Sequence, residues 1–72
     1  MVSTFIITTD ELFSYLTQGL AETGKEYTYE APPSHIEDGA LIKLRSHFEK
    51  NGFIFFTKDV KENLIAITVA KK

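Results

Sequence analysis

Two apolar runs late in the chain limit its folding options more than any other feature. Phe53-Ile54-Phe55-Phe56 and Leu64-Ile65-Ala66-Ile67-Thr68-Val69 are rich in aromatic and β-branched residues, which favour strands. The polar stretch at residues 58–63 between them is short enough to make them an antiparallel hairpin. Successive side chains of a strand point to opposite faces. Phe53 and Phe55 therefore share one face, while Ile54 and Phe56 take the other. In the second run Ile65, Ile67 and Val69 oppose Leu64 and Ala66. Strands that are apolar on both sides need cover on both sides. One layer of helices supplies only half of it.

The preceding residues contain that one layer. Thr8-Thr9-Asp10-Glu11 has the Thr-x-x-Glu spacing of a capping box. It leads into Leu12, Phe13, Leu16 and Leu20, which at helical spacing fall within an arc of about 100°. Gly24 provides a left-handed stop, so the spacing predicts a helix over residues 9–23. Gly19 lies near the apolar arc and permits close packing against a strand. Residues 25–30 alternate polar with aromatic: Tyr27 and Tyr29 share one face, Glu26, Thr28 and Glu30 the other. This is the pattern of a half-buried edge strand, ended by Ala31-Pro32-Pro33 because proline donates nothing to a ladder.

The second helix has two candidate starts, the capping-box spacing Ser34-x-x-Glu37 and Asp38-Gly39. Leu41, Leu44 and Phe48 define its apolar face. Extending the helix back to Ser34 would turn Ile36 about 120° away from Leu41 and bring Glu37 onto the core side. The expectation is therefore a separate turn at residues 34–38, or a kink at Gly39, with a regular helix from there to Lys50. Residues 2–8, with Thr4, Phe5, Ile6 and Ile7, predict a first strand. The predicted fold is α+β, a single small domain over residues 1–72 in the order β-α-β-α-β-β. Two helices pack on one face of a four-stranded mixed sheet that ends in a β-hairpin. Strand order stays open, because the second and fourth strands could both neighbour the first.

Composition narrows the function classes. A 72-residue chain buries only roughly 60% of its unfolded surface. Without cysteine it has neither disulfides nor thiolate metal ligands to reinforce it. Nine aromatic residues and a formal net charge of -2 argue for a folded chain over a disordered one. No apolar run approaches the ~18 residues of a membrane span. The first residues lack the basic start and long apolar stretch of a signal peptide, so the expectation is a cytoplasmic protein with no membrane partner. Mild acidity also weighs against non-specific nucleic-acid binding, which depends on Lys and Arg meeting phosphates.

Motifs for catalysis do not emerge. There is no Gly-x-Ser-x-Gly elbow, and the glycines at 19, 24, 39 and 52 stand too far apart for a phosphate loop. His35 and His47, with Glu37, Asp38 and Glu49, match no metal-ligand spacing. The acidic pairs Asp10-Glu11 and Glu37-Asp38 sit at helix starts, where the helix dipole favours negative charge. Hence no catalytic, cofactor-binding or metal-binding residue is expected, and the chain reads as non-enzymatic.

Two binding readings follow. The first is a small regulatory or binding protein that works through protein–protein contact, most simply as a homodimer. Inhibitors and adaptors, phage-encoded ones included, have this size and acidity. Its surface would be the second face of the sheet, formed by either Phe53 and Phe55 or Ile54 and Phe56 with the strand opposite. The candidate interface comprises Tyr27, Tyr29, Phe53, Phe55, Leu64 and Ala66. The alternative is a nucleic-acid-binding module. Lys43, His47 and Lys50 line up at i, i+4, i+7 with Arg45 at their border, a basic helical stripe suited to phosphates. The element order resembles a winged helix, with the final hairpin as the wing. Residues 34–51 are too few for two full helices and a turn, however, and Lys58 and Lys61 at the hairpin tip are balanced by Asp59 and Glu62.

Overall fold

Capping residues set both ends of helix α1, Thr9–Thr23, in the computed structural model, which describes residues 6–72. Thr8 is extended; its Oγ1 accepts the Glu11 N–H at 3.2 Å, and the Glu11 carboxylate accepts the Thr8 N–H at 3.1 Å. At the other end Gly24 has φ +82° and donates its N–H to the Leu20 carbonyl at 2.8 Å, a left-handed cap that suits glycine. The helix buries Leu12, Leu16, Gly19 and Leu20. Strand β1, Glu26–Ala31, follows and stops before Pro32 and Pro33.

The turn expected after it exists as a short 3-10 helix, Pro33–His35. Helix α2, Ala40–Lys50, starts separately at Gly39, whose φ is +81°. This break lets Ile36 enter the core by itself instead of being carried around a helix. The hairpin consists of β2, Phe53–Lys61, and β3, Leu64–Lys71. Both helices cover one face of the sheet. Leu12, Leu16, Ile67 and Val69 are the fully buried large side chains. Phe48 of α2 stacks on Phe55 with ring centres 5.9 Å apart, meets Phe53 edge-on at 5.8 Å and tilts against Phe13 of α1 at 5.7 Å.

The α+β class, two helices and final hairpin agree with the sequence reading, but the sheet differs from it. Among the described residues it has three strands, all antiparallel, in the order β1-β3-β2, where four strands in a mixed sheet were expected. Part of the predicted first strand, residues 2–5, lies outside the described residues. Of the remainder, Ile7 makes one parallel bridge to Ile36. Its N–H reaches the His35 carbonyl at 2.7 Å, and its carbonyl accepts the Glu37 N–H at 2.9 Å. That bridge already buries Ile7 without a place in the sheet. The element order among the described residues is thus α-β-α-β-β, with the 3-10 turn before α2.

The hairpin differs as well. Residues 58–61, expected as loop, continue the β2 ladder, with Lys58 opposite Ala66, Asp59 opposite Ile65 and Lys61 opposite Leu64. A bulge lies between Asp59 and Lys61, and only Glu62 and Asn63 form the turn. Charged side chains suit this arm because β2 is exposed throughout it; polarity here reflects exposure, not loss of pairing.

Candidate functional site

The strand register sorts every sheet residue onto one of two faces. Tyr27, Val69 and Phe55 form one row across the sheet, and Tyr29, Ile67 and Thr57 the next. These rows lie beneath the helices. The alternate rows form the outer face: Glu26, Ala70 and Ile54; Thr28, Thr68 and Phe56; Glu30, Ala66 and Lys58. Neither helix covers this side.

Its middle is small and already shielded. Ala66 and Thr68 are buried at 8% and 6% exposure by their cross-strand neighbours. The Thr68 hydroxyl hydrogen-bonds the Thr28 hydroxyl at 2.9 Å, which satisfies the one polar group there that would otherwise cost free energy. One flank is bulky: Ile54 and Phe56 stand 43% and 51% exposed. The other flank is short or acidic, with Thr28 between Glu26 and Glu30. Lys58 extends the bulky flank and gives it a positive end. The outer face therefore has an apolar ridge, a flat centre and an acidic shoulder.

The six residues predicted for an interface separate accordingly. Leu64 and Ala66 belong to β3 on the outer side of the register. Phe55 is 4% exposed under α2, and Phe53 packs half-buried against the same core. Tyr27 and Tyr29 cover α1, as rings on the strand's apolar side should. Tyr29 stacks on Tyr15 with ring centres 5.5 Å apart. Burial pushes the Tyr29 phenol above its usual pKa, and the neighbouring Tyr15, Tyr27 and Glu11 add to the shift. Tyr27 lies over Gly19 so closely that a methyl group on the glycine would overlap its ring. Of the two alternatives for the second face, the uncovered pair is Ile54 and Phe56.

No family model, curated protein or solved structure matches the chain. The site must be read from its own groups.

Lys43, His47 and Lys50 are all exposed on α2, and Arg45 stands apart from them. His47 is exposed, with the edge of its ring against Phe13 of α1, centres 4.9 Å apart. Lys43 and His47 border a shallow groove with Thr9, Asp10 and Phe13 of α1. Arg45 turns towards β2, beside Leu41, Ile42, Phe55 and Phe56, and pairs with Glu49 at 3.3 Å. Lys50 sits in the last turn of α2, where a cation complements the helix dipole.

Sequence reasoning missed one polar junction. Glu37, read there as a possible cap for its own segment, reaches across to α1. Its Oε1 accepts the Thr9 N–H at 2.8 Å and the Thr9 hydroxyl at 2.6 Å. The two Thr9 hydrogen bonds, hydroxyl first, hold the carboxyl below its ordinary pKa, and Lys43 adds a smaller attraction. Nothing local marks this contact, because the partners lie far apart in sequence. Among the described residues no three His, Asp or Glu side chains converge as metal ligands, and no helix is long and apolar enough to cross a membrane.

Proposed function

We propose that this chain is a small binding protein that works through protein–protein contact and associates with itself through the outer face of its sheet. The observation that carries the reading is the pair Ile54 and Phe56, half-exposed on a face without helices. Scattered apolar residues are ordinary on a surface, but these two are adjacent on one strand beside Ala66, Thr68 and Ala70. A contiguous apolar patch of this kind is what contact surfaces present.

Magnitude supports a modest affinity. Burying the exposed half of each of these two side chains gains roughly 1 kcal/mol. Two copies contribute four such side chains, about 4 kcal/mol before the cost of association is subtracted. About 4 kcal/mol corresponds to a Kd of about 1 mM, so these side chains by themselves support a dimer no tighter than millimolar. As a regulatory device, such a surface would act by occlusion or bridging, without covalent chemistry.

Sedimentation velocity over a concentration series reaching about 1 mM tests the reading. The expected result is a shift towards twice the monomer mass as concentration rises, lost in Phe56→Asp. That variant should unfold at a midpoint close to wild type, since exposed substitutions typically change stability by no more than about 0.5 kcal/mol. A wild-type chain that stays monomeric throughout the series would sink the proposal.

A further inference from the structure

Resting on self-association through the outer face, we infer that the two copies are related by a twofold axis running along β3, so that β2 of each lies over β1 of the other. A face can meet its own copy in two simple ways. Rotation by 180° about an axis along the strands keeps each residue's height on the strand and exchanges the two flanks. Rotation about an axis across the strands keeps the flanks in place and reverses height. Both give isologous contacts, in which each pair occurs twice. The outer rows of this sheet distinguish them by charge and by size.

With the axis along β3, the row Glu30, Ala66, Lys58 meets itself reversed. Lys58 of each copy faces Glu30 of the other, giving two symmetric opposite-charge contacts. In the middle row Phe56 faces Thr28, a large side chain over a small one, and the flat centre at Thr68 meets its equivalent. In the third row the aliphatic body of Ile54 lies against the stem of Glu26. Bulk on one flank fills the shallowness on the other, which is how two faces reach interior-like packing. The roughly 30° rotation usual between packed sheets leaves these rows in contact.

The crosswise axis fails on the same residues. It sets Glu26 of each copy against Glu30 of the other, bringing like charges together twice, and apposes Lys58 with Ile54. It also lays Phe56 on Phe56 while Thr28 faces Thr28, so one flank is overfilled and the other is left open. Like-charge contacts at an interface are a strong device against a wrong arrangement.

Charge reversal tests the axis. Glu30 and Lys58 are both exposed in the monomer, so Glu30→Lys and Lys58→Glu should keep their circular dichroism spectra. Each variant alone should self-associate about tenfold more weakly than wild type, a change of about 1.4 kcal/mol. An equimolar mixture should recover wild-type affinity, because every contact across the mixed dimer again joins opposite charges. Mixing Glu30→Lys with Lys43→Glu, which carries the charge change of Lys58→Glu on α2, should give a mixed dimer weaker than wild type, because one of its two charged contacts still joins like charges. If wild type dimerises but Glu30→Lys associates as well or better alone, the axis along β3 is wrong while association through the face stands. If wild type is monomeric at about 1 mM, both fall together.

Discussion

Replacing Gly19 by alanine sets two effects of similar size against each other. Gly19 lies inside α1, where alanine is the better helix former by about 1 kcal/mol. On helix propensity alone the substitution stabilises the protein. The added methyl, however, would overlap the Tyr27 ring at Cγ as well as at both Cδ atoms. Because Cγ is the root of the ring, turning the ring about its own axis does not relieve the overlap. Tyr27 has to swing away at χ1 or α1 has to lift from β1, and such overpacking costs about 1–3 kcal/mol. The net expectation is a loss of about 1 kcal/mol, or about 4–8 °C in Tm for a domain of this size. Urea and thermal unfolding followed by circular dichroism measure it. In a Tyr27→Ala background the obstruction is gone, and the same Gly19→Ala change should stabilise by about 1 kcal/mol. The coupling between the two sites is therefore about 2 kcal/mol, within the range for residues in contact. An increase in stability on Gly19→Ala in the otherwise wild-type chain would refute the close-packing argument.

Three further outcomes follow from the fold. Phe48→Ala removes the ring that joins Phe13, Phe53 and Phe55 and should cost about 3–5 kcal/mol, leaving a chain of this length barely folded; a loss below about 1 kcal/mol in urea would contradict its central position. Glu37 has its pKa lowered in the folded state, so its carboxylate adds stability above the unfolded value of about 4.3, and this is lost as pH falls through the lower folded value. Wild type should therefore exceed Glu37→Gln in unfolding midpoint near neutrality, with the gap closing towards pH 3; a gap that persists undiminished into acid would rule out the ionised cap. Asn63 occupies the left-handed region at φ +57°, so Asn63→Gly should stay close to wild type while Asn63→Val loses about 1–2 kcal/mol, and equal thermal midpoints for the two would count against the turn geometry.

Local signals in the chain predicted local structure well. Both ends of α1 follow from Thr8, Glu11 and Gly24, which act within one helical turn. The wheel containing Leu41, Leu44 and Phe48 explains why α2 begins after Gly39, and the same argument separates Ile36 into its own turn. Gly19 was legible as a point of close approach because it lies beside the apolar arc of α1. The misread features depend on distant partners. Placing β3 between β1 and β2 is a choice among pairings that no short window encodes. Glu37 has the spacing to cap its own segment with Ser34, yet its hydrogen bonds go to Thr9. Lys58, Asp59 and Lys61 looked like loop because charge marks exposure, and an exposed hairpin arm is charged too. For the candidate site, alternation showed that β2 has two apolar faces. Which face the helices take depends on where Phe48 docks, and that decision separates buried Phe55 from exposed Phe56.

The central position of β3 has a consequence for how the protein is made. β1 and β2 both pair with β3 and not with each other, yet β3 follows both in the chain. As the polypeptide leaves the ribosome, α1 can fold back on β1 while both are still near the exit, since that contact is short in sequence. β1 then waits for a neighbour until Leu64–Lys71 has emerged, with its ladder groups open to any other extended segment. The aromatic residues of β2 wait with it until the hairpin turn at Glu62 and Asn63 closes. Sheet formation is thus a late, single event triggered by one strand, and long-range pairing of this kind is the slow part of folding.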